Sequence, residues 1–212
     1  VESVSVFFPC YNDEFSIGPM VEAAREALIE ADVEYEITVV NDASPDNSAR
    51  VLESLKEKYP DEFHIITHSP NRGYGGALKS GFSSATKQWV FYTDGDGQYD
   101  PSELLMLIKN AGNDVDIVQG YKTIDGQVRG RNDALHRKII GRAYHHFVSI
   151  FFRLQIRDVD CDFRLIRTDV LKKLDLHNDS GVICLELVRK LQDEKARFVE
   201  VPVSHLARPH GS

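Results

Sequence analysis

The chain of 212 residues carries 33 acidic against 25 basic side chains, a formal net charge of −8 at pH 7. That surplus excludes a general nucleic-acid binder, whose footprint is a basic patch, while 42% apolar and 27% charged residues is the balance of an ordinary globular domain. The length allows one sizeable α/β domain, and no apolar run reaches the roughly 18 residues of a bilayer-spanning helix.

From the amino end, Val4-Ser5-Val6-Phe7-Phe8 is a β-branched and aromatic run stopped by Pro9, the pattern of a buried strand. Ile17, Met20, Val21, Ala24, Leu28 and Ala31 then recur at helical spacing behind Ser16 as N-cap. Glu36 to Val40 reads as a second strand, and Ser44-Pro45 opens a second helix carrying Val51, Leu52, Leu55 and Tyr59. Ile65-Ile66 is a third strand, Gly76 to Ala85 a third helix, and Trp89 to Tyr92 a fourth strand. Asp100-Pro101-Ser102-Glu103 is a capping signature before the helix of Leu104, Leu105, Ile108 and Ala111, closed by Gly112, and Val115 to Val118 is a fifth strand. This alternation predicts an α/β fold, a mainly parallel sheet covered on both faces, with ligands gathered beyond the carboxyl ends of the strands.

After Gly120 the rhythm breaks. Tyr121 to Asn132 reads as a glycine-rich, basic loop, and Asp133 caps a long helix with Leu135, Ile139, Ala143, Phe147, Ile150 and Leu154 on one side and Lys138, Arg142, His145 and Arg153 on another stripe. Asp158 to Arg167 is a dense charged stretch, followed by short helices around Val170 and Leu185 and a strand from Phe198 to Val203. Cys10, Cys161 and Cys184 are odd in number and widely spaced, which gives neither a disulfide framework nor a C-x-x-C metal site. Val1 and Ser212 both read as cut ends, so the protein is expected to continue past Ser212.

The chemistry concentrates where strands end. In Asp94-Gly95-Asp96-Gly97-Gln98-Tyr99-Asp100 two carboxylates one residue apart on extended backbone project the same way. Like charges that close are costly without a cation between them, and hard oxygen ligands suit Mg²⁺ or Mn²⁺ completed by substrate phosphates; the alternative is an acidic turn of good turn formers. Asp42, after the second strand, is placed to accept from a base N–H or a ribose hydroxyl, whereas Ser44 and Asp46 fit helix-entry capping. Asn71-Arg72-Gly73-Tyr74-Gly75-Gly76 puts small residues at a helix start, either a plain loop or a place where backbone N–H groups meet a ligand. It follows the third strand and is not G-x-G-x-x-G, so a dinucleotide fingerprint is not indicated.

In order and placement these segments resemble the inverting glycosyltransferases of family 2 with the GT-A fold, in the branch of dolichyl-phosphate mannose synthase and polyprenyl-phosphate glycosyltransferases, over nearly the whole chain. The resemblance implies a single catalytic domain, with a nucleotide-binding part over about 1–120 and an acceptor side over about 121–212. It implies Pro9, Tyr11, Asn12, Asp13, Asp42 and Asp94 as the nucleotide site. Asp94, Asp96 and Gln98 would bind the cation and donor diphosphate. Asp158-Val159-Asp160-Cys161-Asp162-Phe163-Arg164 looks like the acidic, Phe-Arg-ending segment near the acceptor, and His205-x-x-Arg208-x-x-Gly211 like the segment whose arginine reaches the diphosphate. Asp13 stands where the family has glutamate, and Asn41 where it has the first aspartate of a pair.

The implied reaction is displacement at the anomeric carbon of a GDP- or UDP-hexose with inversion, the cation and Arg208 stabilising the leaving diphosphate. A polyprenyl-phosphate acceptor is already an anionic nucleophile, held by Arg137, Lys138 and Arg142 with Arg164 and His205 nearby. A saccharide hydroxyl would instead need a base, sought among Asp158, Asp160 and Asp162. The amphipathic, basic helix and the resemblance together predict work at the cytoplasmic face of a membrane. The rivals of another class are a nucleotidyltransferase, which is expected to carry a glycine- and cation-rich loop where this chain has Pro9-Cys10-Tyr11-Asn12, and a non-catalytic nucleotide-sugar-binding module, against which Asp94, Asp96 and Gln98 argue.

Overall fold

The computed structural model describes residues 1–122 and 156–208. Among these described residues seven strands form one sheet: β1 (Ser3–Cys10), β2 (Glu34–Asn41), β3 (Phe63–Thr67), β4 (Trp89–Thr93), β5 (Ile117–Lys122), β6 (Phe163–Arg167) and β7 (Phe198–Val203), in the order β3-β2-β1-β4-β6-β5-β7. Every pairing is parallel except those of β6, which runs antiparallel to both β4 and β5. The helices are α1 (Ile17–Glu30), α2 (Ser48–Lys58), α3 (Gly73–Ser84), α4 (Leu104–Asn110), the one-turn α5 (Thr168–Leu171) and α6 (Ile183–Asp193).

The central strands are apolar without interruption because helices cover both faces. Alternation along β1 sends Val4, Val6 and Phe8 to a core shared with Ile17, Val21 and Leu28 of α1, Leu52 of α2 and Leu104 of α4. It sends Phe7 to the opposite core, with Leu78 and Phe82 of α3 and Ile183 and Leu187 of α6. There Phe7 stacks on Tyr92 with centroids 5.5 Å apart, and Phe82 meets Tyr92 edge-on at 5.2 Å. Each such side chain removed from water contributes roughly 1.5–3 kcal/mol, and the two cores together hold the ends of β1, β2 and β4 at one edge.

Several expectations change. The charged stretch up to Arg167 contains β6, whose first four residues, Phe163 to Ile166, are buried; Phe163, Leu165 and Ile166 carry the strand, and Arg164 is accommodated inside the sheet by its own partners. Ser16 sits at the N-cap of α1 but does not cap it, since its hydroxyl donates to the Gly95 carbonyl at 2.7 Å. The second helix starts at Ser48, not Ser44; its N-cap Asn47 makes no side-chain cap, and Asp46, one residue earlier, accepts from the Ser48 N–H at 3.0 Å. Tyr121 and Lys122 extend β5 beside β7 rather than opening a loop. Asp100 accepts from the Ser102 N–H at 2.9 Å, as its capping signature predicts. The expected loop beyond Lys122 and the long basic helix, with Arg137, Lys138 and Arg142, lie outside the described residues. Among the described residues no helix is long and apolar enough to cross a membrane.

Candidate active site

The loops after β1 and β2 are tied together before any ligand arrives. Asn12 takes a left-handed backbone conformation, φ 64°, which asparagine tolerates better than most residues. Its N–H donates to Ser44 Oγ at 3.2 Å, and the Ser44 hydroxyl donates to the Cys10 carbonyl at 3.3 Å. Glu14 N–H donates to Asp46 Oδ2 and Asn47 N–H to Glu14 Oε2, both at 2.9 Å. Asn41 Oδ1 accepts from the Ser44 N–H at 2.9 Å. Gly95 brings in the loop after β4: a Cβ there would stand 2.8 Å from the Pro9 carbonyl, so only glycine permits the approach.

These loops and the start of α3 wall a cavity of about 520 Å³, lined by Pro9, Tyr11, Asp13, Asp42, Asn71, Tyr74, Asp94 and Asp96 among others. Its floor is acidic. Burial, and then the neighbouring Asp162 charge, pushes Asp94 up to about 8, with Asp96 and Asp13 adding to the rise and the Tyr74 hydrogen bond opposing it. Tyr74 donates to Asp94 Oδ1 at 2.6 Å and also lies 3.1 Å from Asp162 Oδ2. Burial and the charges of Asp162 and Asp94 raise the Tyr74 phenol well above its usual value, which keeps it a donor. Burial likewise raises Asp13, against the Tyr11 N–H at 3.1 Å and Arg208.

The strand that sequence reasoning missed explains why Asp162 is here. Antiparallel β6 pairs Phe163 with Thr93, so the residue before β6 lands beside the residue after β4. Asp162 is 8% exposed and accepts from Arg164 Nη1 at 2.6 Å, Tyr92 Oη at 3.1 Å, Cys184 Sγ at 3.1 Å and, at its longer distance, Tyr74. Arg164, fully buried, donates in addition to Gln119 Oε1 at 2.7 Å, the Val159 carbonyl at 2.6 Å and Tyr92 Oη. Burial disfavours its charge, but Tyr92 and Asp162 hold its pKa well above the ordinary value.

A strap closes the site from the carboxyl end. Ser204 donates through its N–H and its hydroxyl to Glu103 at 2.9 and 2.7 Å. Leu206 N–H donates to the Gln98 carbonyl at 2.7 Å, and the Gln98 side-chain amide returns to the Leu206 carbonyl at 3.2 Å. His205 packs edge-on against Tyr99, ring centroids 4.9 Å apart. The strap delivers Arg208, whose Nη2 donates to Asp13 Oδ1 at 2.9 Å while Nε lies 3.9 Å from Asp96 Oδ2.

The structure thus gathers Pro9, Tyr11, Asp13, Asp42, Asp94, Asp96 and Arg208 at one edge. Arg164 is the exception: an enclosed guanidinium with its donors spent on Asp162, Tyr92, Gln119 and Val159 cannot reach a diphosphate, so its expected ligand contact is corrected to a structural one. Asp158 accepts from the Lys122 and Asp160 N–H groups, both at 3.2 Å, and the Asp160 side chain is exposed. The glycines of the third loop serve chain packing, since a Cβ on Gly75 would stand 2.2 Å from the Asn178 carbonyl and its N–H donates to the Asp179 carbonyl at 2.9 Å. Sequence reasoning missed Tyr74 and His68. Tyr74 carried a signal, an aromatic inside a glycine run, but its partners come from β4 and β6 and are not readable locally.

A divalent cation fits this floor. Asp94 and Asp96 are two hard oxygen donors; burial and the Asp162 charge, with Asp96 and Asp13 adding, raise Asp94, and a cation would relieve what the proton now relieves. Among the described residues no group of three or more His, Cys, Asp or Glu is arranged to hold a metal alone; one or two carboxylates completed by phosphate oxygens is how Mg²⁺ is usually bound.

A cavity at the carboxyl ends of parallel strands, acidic at its floor and walled by a strand-two aspartate, stands where open α/β folds take their ligands. The family profile described as Glycosyl transferase family 2 matches residues 5–175, and the chain belongs to that family. Among curated relatives it is 29% identical over 215 residues to an undecaprenyl-phosphate 4-deoxy-4-formamido-L-arabinose transferase of Proteus mirabilis, and 30% identical over the same span to the transferase of that name from Photorhabdus laumondii. Each match covers 100% of this chain and 62% of the relative, so the chain spans less than two thirds of their length. Glucosyl-3-phosphoglycerate synthase of Mycobacterium tuberculosis, in complex with Mn²⁺, UDP-glucose and phosphoglyceric acid, superposes with TM-score 0.69 at 14% identity over 98% of this chain and 73% of its own. A mannosyltransferase of Pyrobaculum calidifontis, in complex with GDP-Man and Mn²⁺, superposes with TM-score 0.65 at 20% identity over 97% of this chain and 56% of its own. The fold is GT-A, shared with these glycosyltransferases.

Proposed function

We propose that this chain is the catalytic domain of an inverting transferase that moves a glycosyl group from a nucleoside-diphosphate sugar to a polyprenyl phosphate at the cytoplasmic face of a membrane, with Mg²⁺ or Mn²⁺. The observation that carries the reading is the convergence of Asp94, Asp96 and Asp13 beside Asp42 in one cavity. The names of the Proteus and Photorhabdus relatives support the lipid acceptor; because those names carry an arabinose, the proposal is for a glycosyl group and not for a hexose alone.

Asp42 accepts from the base or ribose, Asp94 and Asp96 hold the cation, and Arg208 leaves Asp13 to meet the diphosphate as charge develops on it. The bound cation supplies electrostatic stabilisation of the leaving diphosphate. A general base is the element for which the described residues offer least. Asp162 is filled by four donors and Asp158 by two N–H groups, which favours an acceptor that arrives as an anion. Arg137, Lys138 and Arg142 are the residues proposed to hold the acceptor phosphate, each contributing roughly 1 kcal/mol toward an anionic lipid surface.

The test is transfer from UDP- and GDP-sugars to a short polyprenyl phosphate with Mn²⁺ or with EDTA. Metal-dependent glycolipid formation is expected. Transfer to a soluble oligosaccharide and not to the lipid phosphate overturns the acceptor; nucleotidyl transfer in place of sugar transfer overturns the reaction.

A further inference from the structure

A second polar line runs from the cavity wall into the body of the fold, through residues the proposed chemistry does not use. His68 follows β3 and is 6% exposed. Its Nδ1 lies 2.6 Å from Asp42 Oδ1, and its Nε2 lies 2.8 Å from the hydroxyl of Ser80 on α3. Its own N–H donates to the Asn41 carbonyl at 2.9 Å, which fixes its backbone to the residue before Asp42. The Arg72 N–H also takes Asp42 Oδ1, at 2.8 Å, and the Asn71 amide takes the Asp42 carbonyl at 2.7 Å. Among the described residues, every hydrogen bond to the Asp42 side chain ends on Oδ1. Oδ2 is thereby left for a ligand in the cavity that Asp42 lines.

We infer that His68 is a positioning residue for nucleoside recognition: it holds Asp42 in the rotamer that offers Oδ2 to a base N–H or ribose hydroxyl, and Ser80 holds the imidazole from behind. The inference rests on the donor reading above. Without His68 the Asp42 carboxylate would be held, among the described residues, by the Arg72 N–H alone, and each rotamer frozen on binding weakens affinity. An imidazole fixed on both ring nitrogens removes that freedom in advance, as supporting shells do in built sites. A merely stabilising buried pair makes a different prediction, because its loss would lower the unfolding midpoint and leave the nucleotide affinity of the folded protein unchanged.

Calorimetric titration of the chain with UDP and with GDP, in EDTA and in Mn²⁺, tests this through a cycle. His68→Phe is expected to weaken nucleoside diphosphate binding about tenfold in either condition, while His68→Asn, whose amide nitrogen can replace Nδ1, stays within about threefold of wild type. In the Asp42→Ala background His68→Phe is expected to cost nothing further. Ser80→Ala, a milder change on α3, is expected to weaken binding about threefold and guards against a His68→Phe protein that does not fold. In transfer assays the loss is expected in donor KM with kcat within about twofold. Wild-type affinity in His68→Phe, or an undiminished loss without Asp42, overturns the inference alone. Failure of the wild-type chain to bind either nucleotide overturns the donor reading and this inference with it.

Discussion

Asp94 and Asp162 share one tyrosine hydroxyl and differ in everything else that touches them. Asp162 is closed off and matched: a guanidinium 2.6 Å away, two further hydroxyls and a thiol supply its donors. Asp94 keeps one side on the cavity, has only Tyr74 as a donor among the described residues, and faces the charges of Asp162, Asp96 and Asp13. The pair separates structural charge from functional charge. A carboxylate compensated within the fold lies behind the cavity, and the carboxylate left uncompensated beside it lines the cavity and is the one proposed to meet a cation.

The largest effect is expected from breaking the matched member. Arg164→Ala leaves Asp162 enclosed without its cation, and removing one partner of a buried pair costs about 3–5 kcal/mol. Urea unfolding should show that loss with no ligand present. Were Arg164 instead a ligand residue on a tolerant surface, stability would stay within about 0.5 kcal/mol.

Breaking the unmatched member should do the reverse. Asp94→Asn removes the repulsion and keeps a partner for Tyr74, so the thermal midpoint should rise, by about 2–4 °C for each kcal/mol in a chain of this size, while metal-dependent transfer falls by about 100-fold or more. The pH dependence has a definite sign. A carboxyl whose folded pKa is raised above its unfolded value adds stability that is complete below the unfolded value and is lost as pH rises through the folded value. Ligand-free stability should therefore decline from about pH 4 to about pH 8, following the Asp94 value of about 8. The decline should flatten in Asp94→Asn, as thermal midpoints across that range will show.

Arg208 sharpens the comparison at smaller scale. It is the one described cation paired with Asp13, at 2.9 Å, and it stands 3.9 Å from Asp96, on a side chain 35% exposed. Exposed pairs contribute about 0.2–1 kcal/mol. Arg208→Ala should then tighten Mn²⁺ binding to the ligand-free chain up to about fivefold while slowing transfer, two changes of opposite direction that Mn²⁺ titration and a transfer assay can separate.

Much of this was legible in the sequence, and the limits have physical causes. Each strand from β1 to β5 and β7 announces itself by a local apolar run, and the strand-end position of Asp42, Asp94 and Asp96 follows from that alone. β6 hides because Arg164 sits inside it; a buried arginine is satisfied by Gln119, Val159, Tyr92 and Asp162, none of which a local window relates to it. The same long-range pairing places Asp162 behind Asp94 with its donors already supplied. Ser16 illustrates the point for one hydrogen bond: a capping position was readable, but the choice of the Gly95 carbonyl over the helix N–H groups depends on a loop about eighty residues away. The glycines of the third loop were visible as glycines, and their reason, the backbone of Asn178 and Asp179, was not.

The claim that the unmatched carboxylates await a cation brought with the donor is tested most directly by titrating UDP and GDP into the wild-type chain and Asp96→Ala, with Mn²⁺ and with EDTA. Asp96 lies at a strand end outside the core, so the variant should keep its fold by circular dichroism. The expected result is tight binding of one nucleotide by the wild type in Mn²⁺, weakened by about 100-fold in EDTA, with Asp96→Ala in Mn²⁺ falling to the EDTA level. Equal affinity of a folded Asp96→Ala and the wild type in Mn²⁺ would contradict the account.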